Sequence, residues 1–528
     1  MNFMSELDFQ AYDVPRQDGA SLIVPPLSTA ANCLNRNTSA ANRTGATEDW
    51  LSEFRVAART QTIRDALSYT GSYRSTVWAD PLKSAPVVMA GHQPTLFHPG
   101  VWLKNFALDR LGTINGWLPI NLVVDNDVGA GSSIRVPHQD PTSGLVSAVS
   151  VPYDDAGGGL PYEQTRIVNR ELFESFDQRV VETLGNLVSQ PTVNHLWPHA
   201  KEAISRCGFA GCAFAQARHV LEAELGLHTL EVPLSVVAKG EGFARFAHRI
   251  LSQLDRFQAC YNESTQLYRR LHGIRSAAHP VPNLGREGQW LEAPLWMYSD
   301  AAPERRAAWV RIEGNWLHLS NRRGLELRLP HDDPMAATEI WRHQSGDSLK
   351  TRPRALLTTM YSRLVLSDLF LHGIGGGKYD QLSNVIMRRF FRVQPPQFMV
   401  MSATVQLEAT SERSVEPSVA RIKHVLRDTQ FHPEVLAEAD TQENSVLIRR
   451  KQALLTDVPE NGKKAWHDEL TSINLRLSDS LSKTRRQLQQ DLAAAKRREA
   501  STTYLNSREH SFCIHPLHPM VQSLKSHL

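Results

Sequence analysis

The chain has no run of about 18 apolar residues, the length a spanning helix needs, so no membrane span is expected. Neither sign of charge dominates: 58 Lys and Arg stand against 55 Asp and Glu, a formal net charge of +3. Such a balance carries no electrostatic footprint for nucleic acid or an anionic membrane. Cysteine is sparse, with Cys33, Cys207, Cys212, Cys260 and Cys513 the only five. An odd, scattered set builds no disulfide framework and suits a reducing cytoplasm. Cys207 and Cys212 lack the second pair or nearby histidines that a zinc site uses, so buried structural thiols are expected. Met1 to Asp18 is mixed and acidic, without the basic start and apolar core of a signal peptide, and the expected location is cytoplasmic. Three catalytic signatures are missing: a Ser-centred nucleophile elbow, H-E-x-x-H and paired CxxC.

What is present points to a globular protein. A length of 528 residues predicts two or three domains. Residues 1–50 read as a polar, mobile N-terminal extension, with Ser28 to Thr47 as loop. Glu48 to Ser68 reads as an entry helix. Pro86 to Ala90 is an apolar strand, Gly91 to Gly100 a loop, and Pro99 starts a helix ending near Leu111 and Gly112. Pro119 to Val124 is a second strand. Strand, helix, strand makes a βαβ unit, so the two strands should be parallel. Ligands bind beyond the carboxyl ends of such strands. That places Gly91, His92 and Gln93 on one edge with Asp125, Asn126 and Asp127.

Helical pattern continues from Tyr162 to Leu225 and from Gly242 to Ile274, with a strand at Leu230 to Val237 between them. Trp290 to Trp296, Ala308 to Ile312 and Trp316 to Leu319 read as short strands. Glu313-Gly314-Asn315 is the hairpin turn between the last two. Thr351 to Leu366 reads as helix, Asp368 to Leu371 as strand. A glycine loop follows (Gly373-Ile374-Gly375-Gly376-Gly377-Lys378), then a helix to about Phe391 and a strand from Pro396 to Met401. This is a second βαβ-like unit. From Ser411 to Ala500 aromatics nearly vanish. The pattern predicts helical arms joined by a turn at Asp457 to Lys463, with one continuous helix through Leu492, and such arms commonly dimerise. A pair of surface helices on the body is the other reading. The resulting division is an extension (1–50), an α/β core (51–410, helical insertions at about 160–280), a helical arm (411–500) and a C-terminal segment packing back on the core (501–528).

Four glycines in five residues are costly to order. Such a loop either takes positive φ and cradles an anion with successive N–H groups, or turns tightly for steric reasons alone. Lys378 adds a point charge suited to phosphate. The spacing is not Walker A: it falls one residue short, and Tyr379 replaces the magnesium-holding Ser or Thr. Nor is it the dinucleotide G-x-G-x-x-G. Asp125 and Asp127 can bind Mg²⁺ or Mn²⁺, hydrogen-bond substrate hydroxyls or cap the next segment. His92 and His372 each follow an apolar strand, where an imidazole can move protons or serve structure. Arg352 and Arg354 can clamp an anion or form surface ion pairs.

The order of these features resembles the bacillithiol-biosynthesis cysteine-adding enzymes: a strand then Gly91-His92-Gln93-Pro94, a strand then an acidic cluster, and later Arg352 to Tyr361 leading to a glycine loop and Tyr379. The resemblance spans roughly Val87 to Asp127 and Thr351 to Leu407. It implies a Rossmann-like α/β core with a parallel sheet and a C-terminal helical hairpin or coiled-coil arm used for dimerisation. It also implies ligase-like addition of cysteine to glucosaminyl malate. The family's glycine loop resembles Gly-Pro-Gly-Glu, so Lys378 reverses the local charge.

Two functions follow as expectations. The first is a ligase- or transferase-like enzyme acting on a small polar, sugar- or nucleotide-linked substrate. His92, His372 and Asp125 would be catalytic, while Gly91, Gln93, Asp127, Gly375, Gly376, Gly377 and Lys378 would bind ligand. No metal is assigned, and the pattern names no cofactor. The second is a non-catalytic small-molecule sensor or dimeric scaffold working through the arm.

Overall fold

A computed structural model describes residues 9–43, 49–78, 85–129, 131–346, 348–407, 418–437 and 442–528. The start of the extension (1–8), part of its expected loop (44–47) and the start of the arm (411–417) lie outside them. In chain order the elements used below are β1 (Ser21–Val24), α1 (Ala30–Arg43), α2 (Asp49–Gly71), β2 (Val87–His92), α3 (Pro99–Asn115), β3 (Leu118–Val123), α4 (Val193–Cys207), α5 (Ala210–Glu224) and β4 (Leu230–Pro233). Then come α6 (Glu241–Leu251), α7 (Leu254–Leu271), β5 (Trp290–Tyr298), β6 (Arg306–Glu313), β7 (Trp316–Ser320), β8 (Glu326–Pro330) and β9 (Lys350–Pro353). The chain continues with α8 (Ala355–Tyr361), β10 (Leu369–His372), α9 (Ile374–Ile386), β11 (Phe398–Ala403), α10 (Val419–Phe431), α11 (Gln442–Thr456), α12 (Lys463–Ser480), α13 (Ser482–Leu505) and α14 (Leu517–Lys525).

The protein is mixed α/β. Its central sheet has the order β1-β11-β10-β2-β3-β4, and every pair is parallel except β1 with β11. Both faces of this sheet are buried, as parallel sheets require. Alternation along β2 shows it: Val87 and Met89 join one core, Val88 and Ala90 the other. The second sheet, β8-β7-β6-β5-β9, is antiparallel and packs into the first of these cores. Its β6–β7 hairpin turns at Gly314, whose φ of 56° suits glycine.

Several expectations are corrected. The N-terminal stretch is not a bare extension: β1 pairs with β11, and α1 buries Cys33 and Leu34, covering part of the expected 28–47 loop with helix. The strand at Leu230 stops at Pro233, and residues 234–237 form a helical turn. Arg352 lies in strand β9, not in a helix, and α3 runs past Gly112 to a left-handed Gly116. The expected helix through Leu492 breaks at Leu481, between α12 and α13. Helices α11 and α12 share a small apolar cluster at Leu447, Ile473 and Leu477, which Leu481 at the break joins. All five cysteines are free, but Cys207 and Cys212 are half-buried, not buried as expected. Phe512, Cys513 and Ile514 are buried, and the Phe512 ring packs on Trp102 with centroids 4.7 Å apart. No helix among the described residues is long and apolar enough to cross a membrane.

Candidate functional site

The site follows from how two parallel units leave the same sheet. From β2 the chain passes through α3 to β3 on one side. From β10 it passes through α9 to β11 on the other. The helices cover opposite faces: Trp102, Leu103 and Phe106 of α3 join one core, Leu382 and Ile386 of α9 the other. β2 and β10 are neighbours, so a crevice opens between their carboxyl ends, the place where open α/β sheets bind ligands. A cavity of about 650 Å³ occupies that crevice.

The glycine segment is not a loop with positive φ. Gly373 is an extended N-cap with φ −78°, and Gly375 to Gly377 form the first turn of α9. Steric need divides these glycines. A Cβ at Gly377 would stand 2.3 Å from Val400, and one at Gly376 would stand 2.9 Å from Nδ1 of His372. At Gly373 and Gly375 a Cβ would meet nothing within 4 Å. The first bond from this turn is the Gly377 N–H to the Gly373 carbonyl, at 2.8 Å. The preceding N–H groups have no side-chain cap and face a positive helix end toward the cavity. Lys378 is exposed and lines the same wall.

His372 ends β10, is 4 % exposed and lines the cavity. Its Nε2 lies 2.8 Å from Asp380. The Asp380 carboxylate also accepts from Arg363 (2.8 Å) and Thr359 (2.5 Å). Arg363 and His372 hold that carboxyl well below its usual range against the opposing effect of burial. An ionised Asp380 fixes the proton on Nε2 and leaves Nδ1 with the lone pair. Burial keeps the imidazole pKa below its ordinary value despite the carboxylate, so the ring is neutral at neutral pH.

His92 also lines the cavity. Its Nδ1 donates to the Gln93 carbonyl at 2.8 Å, and burial together with Lys104 lowers its pKa to about 3. Gln93 donates to Asp127, which also accepts from Arg305 at 3.1 Å. Arg305 and Arg354 lie over the Trp296 ring, 4.9 and 4.1 Å from its centroid, and Arg354 pairs with Glu292 at 2.6 Å. Gly91, Gln93, Asp127, Gly375 and Gly376 line the cavity with them.

Two expected site residues stand elsewhere. Asp125 does not line the cavity: its oxygens accept from the Ser235 N–H (2.9 Å) and Oγ (2.5 Å), at the helical turn after β4. Burial and neighbouring Glu163 raise its pKa. Glu163 is in turn held by both arms of Arg352, at 2.8 and 2.9 Å, so Arg352 is spent on structure. Asp125 and Asp127 therefore do not converge as a metal pair. Gly377 packs on Val400, away from the cavity. Among the described residues one other cluster has metal-ligand chemistry, His219 with Glu222 and Glu231. There the Arg218 guanidinium already bridges both carboxylates.

Sequence reasoning missed Lys104, His98 and Arg508, which line the cavity from α3, its N-cap and the C-terminal segment. Lys104 was hidden in the apolar pattern of α3. Arg508 lies 393 residues beyond the end of α3 in sequence (508 against 115), so no local signal connects them. No family model matches the chain, and no curated protein matches it.

Proposed function

We propose that the protein is a ligase- or transferase-like enzyme with a Rossmann-like core, similar to the cysteine-adding enzymes of thiol biosynthesis. It acts on a small polar substrate, sugar- or nucleotide-linked, that carries an anionic group. The observation that supports this reading is the uncapped start of α9, with Lys378 just after its first turn and a neutral His372 beside it. Uncapped N–H groups and a helix dipole favour an anion. A neutral imidazole whose tautomer is set by Asp380 accepts a proton at Nδ1 from a bound nucleophile. His92, with Nδ1 engaged, offers Nε2 as a second acceptor. Lys378, in place of the family's acidic residue, selects a more anionic ligand than the family's loop would.

The test is a thermal-shift screen with nucleotides and sugar phosphates. A stabilising ligand should be found, and Lys378→Ala should weaken it about tenfold, the loss of one charge-assisted contact. His372→Gln should retain binding and abolish turnover. No hit, or hits that survive Lys378→Ala at full affinity, overturn the reading.

A further inference from the structure

Helix α3 buries Leu103, Phe106, Ala107 and Leu108, and on the same helix it also buries a lysine. Lys104 is 2 % exposed, yet it lines the cavity. Its Nζ donates to the Gly91 carbonyl at 2.9 Å. That partner is neutral, and among the described residues no carboxylate forms an ion pair with this ammonium. The charge that acts on it is that of cationic Arg218, already engaged by Glu222 and Glu231. Buried lysines without a carboxylate favour the neutral amine. Burial first, then Arg218, lower the pKa of Lys104 to about 7. The Gly91 carbonyl takes one N–H from the amine as well as from the ammonium, so the neutral form keeps its hydrogen bond and its lone pair.

The surroundings suit one chemistry. A buried, unpaired amine beside neutral His92 and His372 has proton carriers at hand, and the start of α9 favours an anion in the same cavity. We propose that Lys104 is an amine nucleophile that forms an imine with an aldehyde or ketone bearing an anionic group. The Nζ lone pair adds to the carbonyl carbon and the carbonyl oxygen takes up a proton. The proton on oxygen comes from the attacking nitrogen, and the carbinolamine then loses its hydroxyl together with the one remaining N–H proton as a single water, leaving C=N. No oxidant or reductant enters. The inference goes beyond the ligase or transferase reading and does not require it, since imine formation needs no group transfer.

The probe is pyridoxal 5′-phosphate, with borohydride to reduce the C=N bond to a stable secondary amine and peptide mass spectrometry to locate it. The full-length protein at pH 7 should be trapped at Lys104 at least tenfold faster than at exposed Lys378 or Lys463. The rate should rise with a midpoint near pH 7, about three units below that of an ordinary lysine. Pyridoxal, lacking the phosphate, should label Lys104 at least tenfold more slowly. Lys104→Met should lose the modified peptide. Labelling no faster at Lys104 than at exposed lysines, or a midpoint above pH 9, overturns the reactive amine. Equal labelling by pyridoxal overturns the anionic requirement. Both readouts are taken on the wild-type chain and do not depend on the variant folding.

Discussion

Two helices begin at one crevice, and they begin differently. At α3 the N-cap His98 accepts from the Gly100 N–H at 3.2 Å, and Pro99 fills the first turn. A Cβ at Gly100 would stand 2.0 Å from the Ala403 carbonyl oxygen, so strand β11 covers that turn. At α9 nothing caps the first turn, and Gly373 and Gly375 face open space. Every helix start has the same excess of donors. Where the protein supplies the acceptor, glycine is there for packing. Where it does not, Gly373 and Gly375 leave room, and the donors stand open to the anion proposed above.

The closed start is the easier one to break. Gly100→Ala drives a methyl group into main-chain oxygen that belongs to a central strand and cannot swing away. It should cost about 5 kcal/mol, the range reserved for severe core disruption. Loss of soluble folded protein checks it, and a variant with unchanged denaturant midpoint would show that α3 can move off β11.

Behind the open start lies a buried ion pair, Arg363 with Asp380. Asp380→Asn leaves Arg363, 1 % exposed, without its carboxylate and removes the acceptor that fixes His372. Breaking such a buried pair should cost about 3 kcal/mol. The pH dependence has a definite sign. The folded pKa of Asp380 is depressed, so its stabilisation is present above the unfolded value of about 3.9 and is lost as pH falls toward the folded value. His372 is also depressed, so the unfolded chain binds its proton first and acid weakens the fold below about pH 6.5. Urea melts of the wild type from pH 7 downward should show falling stability. Asp380→Asn should remove the limb below about pH 4 and leave a flatter curve.

Gly377→Ala separates packing from access within the open start itself. Its Cβ would lie 2.3 Å from a Val400 methyl, which can shift by repacking, so a cost of about 2 kcal/mol is expected. Calorimetry checks it, and Val400→Ala in the same chain should recover part of the loss.

Much of this arrangement was legible in the sequence. The two parallel units followed from apolar runs of strand length separated by helix-length segments, and those runs fixed the edge on which His92, Gln93, Asp127 and His372 meet. What local pattern could not give was direction. Asp125 and Asp127 are two residues apart after one strand, yet Asp125 turns to Ser235 and Asp127 to Gln93 and Arg305. Period-2 reasoning ends where the strand ends. Of the two readings of the glycine segment, positive φ fails and steric need holds in part: packing against Val400 and His372 makes small residues necessary at Gly376 and Gly377, inside an ordinary helical turn. Lys104 and Arg508 were invisible because burial of a charge depends on which distant segments close over it.

The smallest expected effect is the most informative about function. Gly375 has helical neighbours, no positive φ and empty space where a Cβ would go. Glycine in a helix costs roughly 0.5–1 kcal/mol relative to alanine. In the absence of ligand, Gly375→Ala should therefore stabilise the fold by about 0.5 kcal/mol, seen as a small rise in the denaturant midpoint at constant slope. The same methyl group would stand over the first-turn N–H groups that the reading assigns to an anion. Binding of any hit from the nucleotide and sugar-phosphate screen should then weaken while stability rises. Opposite signs from one substitution distinguish a glycine kept for access from one kept for packing. If Gly375→Ala leaves binding unchanged, the open start of α9 is a solvated helix end, and the anion lies elsewhere in the cavity.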